Sequence, residues 1–191
     1  KIAIDGTADG LWIWDIESNH EWHAEQWKRL LGYDVNDEIN ERFSSWESRV
    51  HPDDKKRVLD ALNQHLEHNV TYDCEQRLRT KSNEYKWFRD RGIAIRDESG
   101  KPTRMGGSIR DISELKKSEE KLKLSASVFT HAREGIVITD ATGEIIDVND
   151  TFTTITGYSR EEIIGQNPRI LQSGRQSSKF YADMWHTLLK E

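Results

Sequence analysis

The chain has 191 residues, 32% of them charged, with a formal net charge of −6 and seven tryptophans. A polar surface around that much aromatic material is the composition of a folded globular protein, with length for one domain plus additions or two small domains. The negative balance argues against a nucleic-acid partner, which needs a concentrated positive face, and no apolar run approaches the length of a membrane span.

One cysteine, Cys74, excludes an internal disulfide framework and suits a reducing compartment, so a cytoplasmic location is expected. The chain begins Lys1-Ile2-Ala3 without Met, which points to a piece of a longer protein and leaves a membrane segment in that parent open. Two Asn-x-Thr triplets, starting at Asn69 and Asn149, read as chance matches, not glycosylation sites.

In chain order, Leu11 and Ile13 alternate with the period of a strand; a polar turn, a second short strand and a helical turn closed by Gly32 follow. "HPDDKKRVLDALNQHLEH" (51–68) predicts a helix. His51 reads as a helix-start residue, Pro52 suits the first helical position, and Asp53 and Asp54 complement the dipole. Three strand-like runs, 71–80, 85–96 and 103–111, are separated by turn-rich stretches. This order predicts an α+β architecture: a five-stranded antiparallel sheet with helices across one face.

Trp12, Trp14, Trp22, Trp27, Trp46 and Trp87 supply candidates for the cavity between sheet and helices. Trp12, Trp14, Trp27, Trp46 and Trp87 are the candidate ligand-cavity residues. The expected role is to fill that cavity with their own rings, the alternative to stack an aromatic ligand. His65 and His68 stand at a spacing that permits a metal or haem, but no further ligand cluster accompanies them, and no metal site is expected. No nucleophile, phosphate-loop or metalloprotease motif is present, so no catalytic residue is assigned and the fragment is not expected to be an enzyme.

"DISELKKSEEKLKLSASVF" (111–129) has no Gly or Pro and predicts a helix, with Asp111 and Glu114 at capping-box spacing. Ile112, Glu119 and Ala126 fall on one heptad position, and Leu115, Leu122 and Phe129 on the other. A homodimer through this helix and the exposed half-domain that follows it is the expected assembly, the alternative being a monomeric connector that packs the stripe on its own domain. Asp111, Ile112, Leu115, Leu122 and Phe129 are the candidate transmission residues, because a shift in the last strand must move the helix start.

The chain then repeats itself. "DGLWIWDIESNHEWHAEQWKRLLGY" (9–33) aligns without a gap onto "EGIVITDATGEIIDVNDTFTTITGY" (134–158), placing Gly10 on Gly135, Trp27 on Phe152 and Gly32 on Gly157. The "GY" closing each first helix, "HPDD", "WFRDRG" and "RDIS" resemble a PAS domain with its C-terminal PAC portion. "REGIVITD", "ITGYSREEIIG" and "NPRILQSGR" resemble the start of a second. The resemblance implies a PAS domain over 1–113, a signalling helix over 114–128, and the N-terminal half of a second PAS domain over 129–191. It further implies a sensory module of a bacterial signalling protein, its output most readily a cyclic-di-GMP-synthesising or -degrading domain, with a histidine kinase as runner-up. A ligand-free dimerisation scaffold is the alternative.

In light-oxygen-voltage receptors, which are PAS domains, a segment similar to 167–172 carries the cysteine that forms the flavin adduct. Pro168 occupies that place here, which excludes adduct chemistry. Asn167, Arg169 and Gln172 match the rest of the pattern, and Trp185 resembles a helix tryptophan that lines flavin sites. The resemblance thus allows FAD or FMN in a completed second domain; the alternative is that Trp185 is plain core and the "NPRILQSG" loop a structural turn. No cofactor is expected in this fragment, because half a pocket holds no flavin. The half-domain is expected to be poorly ordered or protected by a second chain, since about 60 residues bury little.

Overall fold

The computed structural model describes residues 8–172 together with 177, 179, 180, 183 and 187. Trp185 lies outside the described residues. The chain divides into two compact units, one ending at Glu119 and the other starting at Glu120.

In the first unit, β1 (Gly10–Asp15) and β2 (His20–His23) form a hairpin, followed by α1 (Glu25–Leu30), α2 (Phe43–Glu47) and α3 (Pro52–His68). Strands β3 (Tyr72–Arg79), β4 (Tyr85–Arg96) and β5 (Pro102–Asp111) complete an antiparallel sheet of order β2-β1-β5-β4-β3. The expected fold class and strand assignments therefore hold. The core is a layer of Trp27, Leu31, Val58 and Leu62 from the helical segments against Leu78, Phe88, Met105 and Ile109 from the sheet.

Local chemistry sets the ends of α3. The Nδ1 of His51 accepts from the Asp53 amide at 3.2 Å, and Pro52 begins the first turn where its missing N–H costs nothing. The helix stops at Asn69, which turns left-handed at φ 56°, so its amide can donate to the His65 carbonyl at 3.0 Å. Asp54 does more than complement the dipole. Its carboxylate takes the amide of Arg77 at 3.0 Å and a two-pronged grip from the Arg77 guanidinium at 2.9 Å per arm. With His51 N–H donating to the Arg77 carbonyl and Arg79 N–H to the Arg49 carbonyl, this closes the free edge of β3.

Helix α4 (Ser113–His131) leaves β5 after a single residue, Ile112. The expected Asp111–Glu114 capping box is not formed. The Asp111 carboxylate accepts from the Ser113 amide at 2.9 Å, one residue earlier, and from Lys86 Nζ at 3.2 Å, while Glu114 accepts from Lys117 Nζ. Ile112 is buried and its amide donates to the Trp87 carbonyl, so it belongs to the first unit and not to a helix stripe.

The second unit holds β6 (Val137–Thr139), β7 (Ile145–Val148), α5 (Asp150–Thr156), α6 (Arg160–Ile163) and a 3-10 turn at Pro168–Leu171. Ile145, Val148, Phe152 and Ile163 form its core. The sequence repeat is a structural one: Trp12 pairs with His23 as Val137 pairs with Val148, and Ile13 with Trp22 as Ile138 with Asp147. In both copies the first glycine lies against the backbone of the helix aromatic. A methyl on Gly10 would come within 2.6 Å of the Trp27 Cα, and one on Gly135 within 3.1 Å of the Phe152 Cα.

Candidate functional site

The inner face of the first sheet and the helices that cross it enclose one aromatic pocket. Trp12 and Trp14 from β1, Tyr72 from β3, Met105 from β5, Trp27, Phe43, Trp46 and Leu62 form its wall. Trp14 stacks on Phe43 at 4.6 Å between centroids, Phe43 leans on Trp46 at 5.2 Å, and the His23 ring stacks on Trp27 at 3.8 Å. The space left is about 20 Å³, room for one water molecule. Trp12 lies over the paired glycines Gly92 and Gly107. A methyl on either would fall within 2.9 Å of its ring, so the sheet is bare where the indole needs it to be.

Polar groups converge on this apolar wall. Asp90 of β4 is 2% exposed and accepts from Trp12 Nε1 at 2.9 Å, Gln76 Nε2 at 2.8 Å and the Tyr72 hydroxyl at 3.5 Å. Burial pushes its carboxyl up to about 7, against the pull of those three donors, and the negative charge of Glu21 adds to the rise. Tyr72 is held well above the ordinary phenol range by the same burial and by Asp90. Glu21 is 6% exposed and also opens into the pocket; its Oε2 makes no hydrogen bond, although His23 Nε2 stands 3.4 Å away.

The structure thus brings Trp12, Trp14, Trp27 and Trp46 together and leaves Trp87 out. Strand alternation sends Phe88 and Asp90 inward and Trp87 to the opposite face, where the Arg77 guanidinium lies 5.2 Å and Lys116 Nζ 5.5 Å from its ring. Trp22 is likewise on the outer face, 43% exposed. Sequence reasoning missed Glu21, His23 and Asp90. One signal was available: His23 aligns with Val148 in the second copy, an apolar residue whose partner position must be interior.

His65 is no candidate for haem or metal. Its Nδ1 donates to the Val70 carbonyl at 2.6 Å and its Nε2 accepts from the Ala94 amide at 2.9 Å, so both ring nitrogens are used, one on the loop after α3 and one on β4. His68 is exposed beside Glu67. No group of three metal-ligating side chains exists among the described residues.

In the second unit, Asn167 works as a turn cap: its Oδ1 accepts from the Arg169 amide at 3.1 Å and its Nδ2 donates to the Gly143 carbonyl at 3.3 Å. Arg169 and Gln172 are exposed. Among the described residues of this unit, Asn149 is the most heavily used polar side chain. It is 2% exposed, accepts from the amides of Ile136 and Phe152, and donates to the carbonyls of Phe129 and Glu134. Its four bonds explain the residue of the second Asn-x-Thr triplet without glycosylation. Along α4, Leu115, Leu122, Leu124 and Val128 are all more than half exposed, whereas Phe129 is half-buried.

A family profile described as the PAS fold matches residues 21–109, and a second of the same description matches 125–190. The chain belongs to the PAS family. The solved sensory box histidine kinase/response regulator from Burkholderia thailandensis is 36% identical, with a TM-score of 0.60 over 66% of this chain and 93% of that one. Sensor protein FixL of Bradyrhizobium diazoefficiens is 29% identical over 178 residues, which is 90% of this chain but 34% of FixL. The chain therefore spans about a third of that relative's length. The N-terminal domain of a diguanylate cyclase with PAS/PAC sensor from Marinobacter aquaeolei shares the fold, with a TM-score of 0.51 at 24% identity over 56% of this chain and 98% of that one.

Proposed function

We propose that the chain is the sensory part of a signalling protein, in which a change of state in the first unit's pocket is passed through α4 to an output domain. One observation carries this reading: β5 and α4 are separated by Ile112 alone, and the joint is held by groups on β4. The Trp87 amide donates to Ser113 Oγ at 3.1 Å, the Trp87 carbonyl accepts from Ile112, and Lys86 grips Asp111. Trp87 stands one residue before Phe88 and three before Asp90, so displacement of β4 is displacement of the helix start.

A histidine kinase output has the support of the relative at 36% identity, whereas support for cyclic-di-GMP turnover is a likeness of fold. We assign the protein to the cytoplasm on the strength of its single free cysteine. Among the described residues no helix is long and apolar enough to cross a membrane. Two copies pair through α4, whose exposed Leu115 and Leu122 keep the heptad spacing; Leu124 and Val128 add apolar surface beside them. No coloured cofactor is part of this proposal, and flavin or Soret absorbance in the purified chain would replace it with a redox or gas sensor.

The test of the relay is hydrogen exchange. Amide exchange over residues 113–119 is measured in the wild type and in Asp90→Asn, which keeps the shape of the side chain and removes its charge. The proposal expects altered protection in 113–119 as well as in β4. A change confined to the sheet would remove the relay.

A further inference from the structure

Two carboxylates on different strands face one small, aromatic-walled space, and no lysine or arginine lines it. Burying Glu21 and Asp90 with His23 as the sole basic neighbour leaves negative charge that a proton or a cation must balance. Glu21 Oε2 makes no hydrogen bond, and its nearest charged partner is His23 Nε2 at 3.4 Å. Asp90 uses three of its roughly four acceptor directions on Trp12, Gln76 and Tyr72, which leaves one open.

We infer that this pocket is a site for a primary ammonium group, the head of a small amine, held between Glu21 and Asp90 among the tryptophan rings. Three features fix the chemistry. The free volume of about 20 Å³ matches a water-sized –NH3⁺ and is too small for a quaternary ammonium. Glu21 Oε2 lacks a donor, and an ammonium N–H supplies one together with the positive charge that a water or a hydroxyl does not carry. The aromatic wall of Trp12, Trp14, Trp27 and Trp46 carries no cation that would compete with an ammonium for the two carboxylates. Trp12, Trp14 and Phe43 are the half-buried part of the wall, through which the rest of the amine reaches solvent.

Binding exchanges one cation for another. The ammonium enters, the O–H bond of the Asp90 carboxyl breaks, its proton leaves to solvent, and the carboxylate accepts an N–H in its place. The titratable and charged groups around Asp90 are Glu21 and His23 on β2 and Tyr72 and Cys74 on β3. His65 of α3 stands 6.3 Å from the Tyr72 ring, and Arg57 of α3 donates to Cys74 Sγ at 3.1 Å. β1 and β5 contribute only Trp12, Trp14 and Met105. This deepens the sensor reading, and rests on it only for the consequence of binding.

The experiment is a tryptophan-fluorescence titration of the 191-residue chain with methylammonium chloride at constant ionic strength, at about pH 6 and about pH 8. A saturable change is expected, about tenfold tighter at the higher pH because Asp90 is then mostly ionised, with about half a proton released per amine at about pH 7 and close to one at about pH 6 in weak buffer. Glu21→Gln is expected to weaken binding at least about tenfold, and Asp90→Asn to abolish its pH dependence. No saturable change, an equal response to potassium or tetramethylammonium, or unaltered binding by Glu21→Gln would each overturn the site. Proton release is read on the wild type, so the inference stays open to refutation even if a variant does not fold. Binding without a change of exchange in 113–119 would leave the site standing and remove the relay.

Discussion

Asp90 and Asp54 are both buried aspartates, and their surroundings push them in opposite directions. Asp54 meets the Arg77 guanidinium, whose hydrogen bonds hold its carboxyl below the ordinary range. Asp90 meets three neutral donors and the charge of Glu21, and burial wins. The folded Asp90 binds a proton up to about 7, whereas the unfolded one releases it near its usual 3.8. The folded state therefore holds more protons between these values, and this group's contribution to stability falls as pH rises from about 4 to about 7. Urea unfolding at about pH 5 and about pH 8 is expected to show a smaller loss across that interval in Asp90→Asn than in the wild type. Asp54 has the opposite sign: its contribution is present above the unfolded value and is lost as pH falls through the folded one. His65 is a residue of the same kind without a charge argument. Replacing it by Leu strands the Val70 carbonyl and the Ala94 amide and is expected to cost about 2–3 kcal/mol, measured by the same unfolding.

At the scale of elements, the repeat shows which contacts a hairpin-plus-helix unit cannot do without. Gly10 and Gly135 are bare because a helix backbone passes directly over them, and the approach is tighter in the first copy. Gly10→Ala is expected to cost about 1–3 kcal/mol and Gly135→Ala less, read by local hydrogen exchange in each unit. The copies differ in how the helix begins. Asn149 caps α5 through its side chain, whereas the equivalent position in the first copy is Ala24, which offers no side-chain bond. The first copy compensates with mass: Trp27 is 1% exposed and sits under a complete five-stranded sheet.

At the scale of the whole molecule, one unit has a closed core and the other a small one. Ile146, Ile155 and Phe180 of the second unit are each at least half exposed. Leu115 and Leu122 of α4 are exposed as well, at the spacing that pairing of two helices requires. Leu122→Glu is expected to shift the chain toward monomer in sedimentation velocity at concentrations where the wild type is dimeric, since a charge at a seam position is desolvated on pairing. Unchanged sedimentation would assign the assembly to another surface.

The repeat, the strand spacings and the helix boundaries were legible in the residues, because periodicity, turn chemistry and the placement of Pro and Gly act locally. Gly10, Pro52 and Gly157 mean the same thing in any fold that uses them. Which face of each strand points inward was another matter. "HEWH" by itself argues for Trp22 inside, and the structure turns Glu21 and His23 inward instead, as it turns Asp90 inward and Trp87 out. A strand has a period of two, so a single choice of register moves every side chain across the sheet, and neighbouring strands make that choice. The sequence by itself determined the family, the order of elements and the presence of a tryptophan-rich cavity. Only the tertiary structure decided that the cavity is nearly closed and holds two carboxylates, because Glu21 and Asp90 lie 69 residues apart and meet through strand pairing, not through local preference.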